Sequence, residues 1–186
     1  MRKIIESTLV SLDGVIGDPH LWAMQYFDHE AQQEALEGLL ASGAMLMGRR
    51  TYEIFAGVWP ARTGDYADRL NSMRKYVFSS TLKKADWNNS TIIKGDVAAE
   101  AAKLKQQNGK DLMIYGHGLF GQTLLNHHFL DELNLSVHPL LVGGGKLLFR
   151  EGEKSTLKLV GTKTPGNGVV VLTYQPVKMR ISNQAH

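Results

Sequence analysis

Short apolar segments that alternate with helical segments are the feature that most constrains the fold of this chain. Aliphatic and β-branched residues predict strands at residues 2–10, 44–47, 76–78, 91–93 and 112–115. Apolar residues at helical spacing predict helices at residues 28–41, 49–55, 96–107 and 119–127. Residues 57–65, which contain Pro60 and Gly64, are predicted to form a loop. Because a helix between two strands favours a right-handed crossover, the alternation predicts a mostly parallel sheet.

The last third of the sequence follows a different pattern. Residues 133–138 alternate between apolar and polar side chains, and strands are predicted at 157–162 and 169–174 on either side of a turn. We therefore predict the α/β class, with a mixed, mostly parallel central sheet flanked by helices and a C-terminal antiparallel hairpin. A length of 186 residues fits one domain, placed at residues 1–177 and followed by a polar tail at 178–186 that is expected to be frayed.

The composition excludes several classes of function. Cysteine is absent, which rules out disulfides, thiolate zinc sites and a cysteine nucleophile, and which fits a reducing, cytoplasmic location. The histidines share no metal-ligand spacing, so no metal is expected. The net charge of +3 comes from scattered lysines and arginines, and no nucleic-acid-binding module is recognisable. No segment approaches the roughly 18 apolar residues of a membrane span, and no signal peptide is predicted. We therefore expect neither a nucleic acid nor a membrane as partner.

The most informative motif is the segment from Gly116 to Gly121, which reads G-H-G-L-F-G after a predicted strand and at the start of a predicted helix. Glycines in this setting let the backbone approach a phosphate, whose charge is met by free amides at the helix N-terminus. A complete Rossmann unit is not predicted, because the acidic pair Asp131-Glu132 precedes the next strand and antiparallel strands follow. The alternative is that the glycines serve only a tight turn and close helix packing.

Two further strand ends carry groups that suit phosphate. Residues 48–51 read Gly-Arg-Arg-Thr and join a predicted strand to a predicted helix. A pair of guanidinium groups matches an extra phosphate on an adenosine ribose, which favours NADPH over NADH; the alternative is two solvated arginines. Residues 79–81 read Ser-Ser-Thr directly after another strand, where hydroxyl groups can contact phosphate or ribose. Three such strand ends in one sheet predict a phosphate-binding edge.

Together these motifs resemble the dihydrofolate reductase superfamily. The similar segments are Ser11–Gly17, Met47–Glu53 and Gly116–Leu125, and the stretch from Asp131 through Gly143 to Phe149 narrows the resemblance further. The resemblance runs in order from Met1 to about Gln175, and the chain looks like the branch typified by the C-terminal reductase domain of bacterial riboflavin biosynthesis. One departure is His117, which interrupts the glycine pair common in this superfamily and leaves open whether the peptide bond there is cis.

The resemblance implies a homodimeric, NADPH-dependent reductase of a small pterin-like or pyrimidine-derived molecule. The residues expected to bind the cofactor are Ile16 and Gly17 beside the nicotinamide, then Gly48, Arg49, Arg50, Thr51, Ser79, Ser80, Thr81, Gly116, His117, Gly118, Leu119 and Phe120. Asp13 and Asp28 are the candidate catalytic carboxylates, either of which would orient the substrate or relay a proton. The loop that ends at Trp22 would hold the substrate.

The activity of the most similar branch is the reduction of 5-amino-6-(5-phosphoribosylamino)uracil in riboflavin biosynthesis. The zinc-binding deaminase domain that usually accompanies this reductase has no counterpart in the cysteine-free chain. A stand-alone reductase of the dihydrofolate type is therefore one alternative. A second alternative belongs to another class, namely a module that binds NADP(H) or another nucleotide without turning it over.

Overall fold

The computed structural model describes residues 1–150, 152 and 154–177, and the polar tail predicted at 178–186 lies outside them. The strands are β1 (Ile4–Ser11), β2 (Ser42–Gly48), β3 (Arg74–Phe78), β4 (Ser90–Ile93), β5 (Asp111–Tyr115), β6 (Glu132–His138), β7 (Leu157–Lys163) and β8 (Val170–Pro176). The helices are α1 (His29–Ala41), α2 (Arg49–Val58), α3 (Asp65–Ser72), α4 (Val97–Gln106) and α5 (Gly118–Asn126). Short 3-10 turns occupy Pro19–Leu21, Met24–Tyr26 and Trp59–Ala61.

The eight strands form one sheet in the order β4-β3-β2-β5-β1-β6-β8-β7. Strands β1 to β6 are parallel to one another, β8 is antiparallel to β6, and β7 is antiparallel to β8. The predicted fold class is therefore confirmed, including the antiparallel hairpin at the C-terminal end. Because β3, β2 and β5 are parallel neighbours, their carboxyl ends lie side by side at one edge of the sheet.

Helices cover both faces of the sheet. Helices α4 and α5 pack on one face, where the buried core includes Ile4 of β1, Ile114 of β5 and Leu133 of β6. Helices α1, α2 and α3 pack on the other face, where the core includes Met45 and Met47 of β2. Within the part of the chain that the structure describes, none of the helices has the length and apolar character needed to cross a membrane.

The region predicted as a loop at residues 57–65 is more helical than expected. Helix α2 continues to Val58, a 3-10 turn follows at Trp59–Ala61, and α3 begins at Asp65. The prediction missed α3 because this helix has only eight residues and buries only Ala67 and Leu70, which is too few for a recognisable apolar period. Arg69 of α3 donates hydrogen bonds to carbonyl oxygens at the end of α1 and the start of β2, which fixes α3 against the sheet.

Candidate functional site

The three strand ends singled out in the sequence share one edge of the sheet. Gly48 of β2 is the register partner of Phe78 of β3, and Leu46 of β2 is the partner of Ile114 of β5. The ring of Phe120, from α5, lies 4.7 Å from the ring of Phe78. A Cβ atom added to Gly48 would lie 3.5 Å from the Cβ of Phe120. The last residues of β2 and β3 and the first turn of α5, which follows β5, therefore adjoin one another.

The turn between β5 and α5 needs its glycines. Gly116 has φ +74° and Gly118 has φ +55°, a region that side-chain-bearing residues rarely adopt. Among the described residues, no atom lies within 4 Å of the position that a Cβ would take at Gly116. The peptide bond between Gly116 and His117 is trans. Because α5 starts at Gly118, its first amides are free to meet an anion at this open turn.

Arg49 reaches across from α2 to the end of β3. Its Nη1 donates a hydrogen bond of 2.8 Å to Oγ1 of Thr81, and its Nε donates one of 2.7 Å to Oε1 of Glu53. The side chain of Arg49 remains 48% exposed, so its guanidinium can still meet a ligand. The hydroxyl of Ser79 accepts hydrogen bonds from the amides of Thr81 and Leu82 and thereby shapes this turn.

The remaining predicted cofactor residues lie beside these groups. Arg50, Ser80 and Leu119 are exposed, and Thr51 is half-buried. Arg50 is close enough to Lys146 for its charge to contribute to lowering the pKa of that lysine, an effect that is mainly due to burial. Arg49 therefore points toward the end of β3, whereas Arg50 lies near Lys146.

Asp13 connects the loop after β1 to the chain beyond β6. Its carboxylate accepts a hydrogen bond of 2.5 Å from the hydroxyl of Ser11, and bonds of 3.1 and 2.8 Å from the amides of Val142 and Gly143. The hydroxyl of Ser11, followed by the two amides, lowers the pKa of Asp13 to about 2. Asp13 is therefore an ionised acceptor near neutral pH, and three donors engage its carboxylate.

Three backbone contacts extend this connection toward the predicted nicotinamide residues. The amide of Ile16 donates a hydrogen bond of 2.8 Å to the carbonyl of Lys146, and the amide of Leu148 donates one of 2.8 Å to the carbonyl of Gly14. Val15 forms an isolated antiparallel bridge with Leu147. We call residues 142–149 the strap, since they run alongside the 12–17 loop and hold it in place.

The other two predicted site residues have defined local roles. Asp28 is the N-cap of α1, where its Oδ1 accepts a 2.9 Å hydrogen bond from the amide of Ala31, and it is exposed. Trp22 is buried, and its indole N–H donates a 2.8 Å hydrogen bond to the carbonyl of Gly17. The ring of Trp22 contacts His138 edge-on at 5.3 Å, and burial lowers the pKa of the His138 imidazole.

A row of polar side chains on the sheet was missed in the sequence. Tyr115, Ser7, Asn134 and Thr173 are successive register partners across β5, β1, β6 and β8, so their side chains share one face. This is the face opposite α4 and α5, and all four residues are half-buried. Thr173 donates a 2.7 Å hydrogen bond to Oδ1 of Asn134. The strict alternation after residue 132 did predict the shared face of β6, but the partner strands were needed to recognise the row.

A second feature missed in the sequence is a buried pair beneath the glycine turn. Nδ1 of His117 lies 2.8 Å from Oε1 of Glu6, which also accepts a 3.0 Å hydrogen bond from the hydroxyl of Thr8. Both side chains are almost completely buried, with 2% and 0% exposed. Among the described residues, Oε2 of Glu6 and Nε2 of His117 have no hydrogen-bond partner. The pair joins the start of α5 to the centre of β1.

The order and direction of the strands place the chain in the dihydrofolate-reductase-like fold class. Within that class, the chain belongs to the RibD C-terminal domain family, whose model matches residues 2–171. The chain is 30% identical over 179 residues to the uncharacterized protein YyaP of Bacillus subtilis, covering 93% of this chain and 94% of that protein.

Two solved structures show the same fold. One is a Shewanella sp. PV-4 protein whose name refers to riboflavin biosynthesis, with a TM-score of 0.76, 21% identity and coverage of 95% of this chain and 99% of that one. The other is dihydrofolate reductase from Enterococcus faecalis, solved in complex with NADP(H), with a TM-score of 0.65 and 13% identity. That comparison covers 95% of this chain and 97% of the Enterococcus chain.

Acidification is expected to release the strap from Asp13. Because the folded-state pKa of about 2 lies below the ordinary value of 3.8, the carboxylate stabilises the contact above about pH 4, and this stabilisation is lost as the pH falls through 2. Amide exchange at Val142 and Gly143, followed by NMR over this range, is expected to accelerate as the pH falls, after correction for the intrinsic exchange rate.

The matched variants are Asp13→Asn and Asp18→Asn. Asp13→Asn is expected to have fast exchange at Gly143 already at neutral pH, with no acid transition. Asp18 makes no side-chain capping bond and serves as the control, which should keep the wild-type profile. An unchanged acid transition in Asp13→Asn would show that another group holds the strap.

Proposed function

We propose that this protein is an NADPH-dependent reductase of a small pterin-like or pyrimidine-derived molecule. The observation that carries the proposal is the contact among the ends of β2, β3 and β5, where open glycine amides and an exposed guanidinium face the same edge. A dinucleotide with an additional ribose phosphate needs these groups at separate points along its length. The alternative of three unrelated turns gives no reason for Arg49 to reach Thr81.

The residues present fit such a cofactor. The open turn at Gly116 leaves room for a phosphate to approach the amides of α5, since no described atom lies within 4 Å of its Cβ position. We assign Arg49, Ser80 and Thr81 to the ribose 2′-phosphate, and Ile16 and Gly17 to the nicotinamide end. When bound, NADPH supplies the hydride; the residues of this chain orient it and exclude water.

We place the substrate over the polar row formed by Tyr115, Ser7, Asn134 and Thr173. Half-buried hydroxyl and amide groups on a sheet face can hydrogen-bond the heteroatoms of a pterin or pyrimidine ring. Of the two carboxylates, we assign substrate orientation and proton relay to Asp28, because only one of its oxygens is engaged by a described donor. Asp13 instead has the task of positioning the strap.

The test is a fluorescence titration with NADPH, followed by a screen for loss of nicotinamide absorbance. The screen should contain 5-amino-6-(5-phosphoribosylamino)uracil and dihydrofolate as representatives of the two substrate classes. Consumption of NADPH with either compound supports a reductase and identifies its substrate class. Tight NADPH binding without consumption would instead favour a nucleotide-binding module, and failure to bind NADPH would overturn the proposal.

Replacing Arg49 by glutamine is expected to weaken NADPH binding by about tenfold to a hundredfold, the usual range for one charged hydrogen bond. Binding of NADH is expected to change little, because NADH lacks the 2′-phosphate. Dissociation constants from the same titration measure both effects. Arg62→Gln is the matched control, since Arg62 lies beyond the opposite end of α2 and stacks on Trp59. An equal loss of NADH and NADPH affinity in Arg49→Gln would contradict the assignment.

A further inference from the structure

We propose that Lys146 binds the diphosphate of the dinucleotide and thereby connects the bound cofactor to the 12–17 loop. The inference rests on the proposed function and adds to it a cation from the strap, far in sequence from the three phosphate-binding segments. It also gives a role to the three glycines before Lys146, because this stretch lets the strap pass over the start of α5.

The position of Lys146 supports this assignment. Its Nζ lies 3.1 Å from the point where a Cβ of Gly118 would be, so the ammonium sits directly at the first residue of α5. The free amides of the helix start point to the same region. A phosphate oxygen at this turn would therefore be within reach of both the amides and the ammonium.

The electrostatics of the site call for an anion. Lys146 is close to Arg50 and Arg150, and the positive end of the helix dipole adds to the same sign of charge. Within the described part of the chain, neither Lys146 nor Arg50 has a carboxylate partner within 4 Å. Arg50, Lys146 and Arg150 are all exposed, and their charges together with the helix N-terminus favour a multiply charged anion at this place. A diphosphate, which carries two negative charges, meets that requirement.

A buried and unpartnered nitrogen lies at the same place. His117 is the N-cap of α5 and is 3% exposed. Its Nδ1 is occupied by Glu6, which leaves Nε2 on the other side of the ring without a partner among the described residues. Phe149 of the strap packs edge-on against this ring at 5.6 Å. A buried polar atom of this kind calls for a hydrogen-bond partner, and its ring lies at the N-cap of the helix whose first amides we assign to the diphosphate.

The diphosphate and the 2′-phosphate are assigned to different places. Arg49 points toward Thr81 at the end of β3, whereas Lys146 lies at the end of β5. Strand β2 separates these two strands in the sheet. A ligand with only one of the two phosphate groups should therefore respond to only one of the two side chains.

The backbone of Lys146 carries the connection to the loop. Its carbonyl accepts the hydrogen bond from the amide of Ile16, and its own amide nitrogen lies 3.3 Å from the Cβ position of Gly17. A diphosphate that holds the Lys146 side chain therefore restrains the strap and, through it, the residues assigned to the nicotinamide. Binding at one end of the cofactor thus prepares the site for the other end.

The experiment titrates wild type and three variants with ADP, adenosine 2′-monophosphate and NADPH. Lys146→Gln is expected to weaken ADP and NADPH binding about tenfold or more and to leave adenosine 2′-monophosphate unchanged. Arg49→Gln is expected to weaken adenosine 2′-monophosphate and NADPH and to leave ADP unchanged. Lys158→Gln, which removes the same charge from β7, should bind all three ligands as wild type does.

A second readout follows the loop itself. In wild type, ADP is expected to slow amide exchange at Ile16 and Leu148, and in Lys146→Gln this protection should be lost. Thermal melting of each apo variant verifies that the fold is intact, and the exchange difference between free and ADP-bound wild type tests the coupling without any variant. If ADP leaves the exchange at Ile16 unchanged, the coupling is wrong.

The outcomes separate the two proposals. If wild type does not bind NADPH, the proposed function fails and this inference fails with it. If wild type binds NADPH but Lys146→Gln binds ADP within twofold of wild type, the inference alone is overturned. If Lys146→Gln raises the KM for a phosphorylated substrate but binds ADP normally, Lys146 binds the phosphate of the substrate. That outcome would also overturn the inference.

Discussion

Replacing His117 by leucine is expected to lower the free energy of unfolding by about 3–5 kcal/mol, the usual cost of removing one partner from a buried, hydrogen-bonded pair of ionisable side chains. The substitution leaves the carboxyl group of Glu6 fully buried in the central strand, with the hydroxyl of Thr8 as its one side-chain donor among the described residues. This loss is a large share of the roughly 5–15 kcal/mol that holds a typical domain together. Urea unfolding, monitored by tryptophan fluorescence, measures it.

The double variant Glu6→Leu/His117→Leu separates the burial of a charge from the loss of contacts. It removes both polar groups together, so its cost is expected to be smaller than that of His117→Leu alone. Glu34→Gln breaks the exposed pair with Lys163 and should cost no more than about 1 kcal/mol. If the double variant is less stable than the single one, the pair stabilises the protein by its own interaction, and an unpaired buried carboxylate is not the main cost of His117→Leu.

Replacing Gly121 by alanine is expected to cost about 2–3 kcal/mol, although alanine normally stabilises a helix interior relative to glycine by about 1 kcal/mol. A Cβ at this position would overlap Oε2 of Glu6 and would lie 3.0 Å from Nδ1 of His117. Neither group can move away, because both are buried and joined to each other. The midpoint of thermal unfolding should fall accordingly.

Gly57→Ala is the matched control for this substitution. Gly57 is also helical, but no described atom lies within 4 Å of its Cβ position, so alanine there should raise stability by about 0.5–1 kcal/mol. In a Glu6→Ala background, the additional cost of Gly121→Ala should largely disappear, since the overlapping carboxylate is gone. An equal cost in both backgrounds would show that the helix backbone, and not Glu6, excludes the methyl group.

The architecture could be predicted from local patterns, because each strand and most helices have an apolar period that is recognisable within their own residues. Asp28 and Asp96 cap α1 and α4 at the first residues of the helices predicted at 28–41 and 96–107, and their carboxylates accept hydrogen bonds from the amides of Ala31 and Ala99. Helix α3 was missed, since its sequence is polar and its two buried residues define no period. Its formation depends on contacts that Arg69 makes with other elements, which a local pattern cannot contain.

The candidate site was predictable only where its parts are contiguous in sequence. The glycine turn, the arginine pair and the hydroxyl cluster each follow a strand, and parallel pairing brings such ends to one edge. Glu6 pairs with a residue 111 positions away, and Lys146 reaches α5 from the strap, so neither carries a local signal. The predicted roles of Asp13, Asp28 and Trp22 remain predictions.

The position of β1 between β5 and β6 has a consequence for biosynthesis. Ile4 pairs with Leu112, and Ile5 pairs with Glu132, so β1 has no neighbour in the sheet until segments more than 100 residues further along the chain have emerged from the ribosome. Such distant pairing makes folding slow, because the entropy of closing a long loop is lost before the contact forms. A nascent chain of this protein therefore holds β1 without either of its neighbouring strands until β5 has been translated.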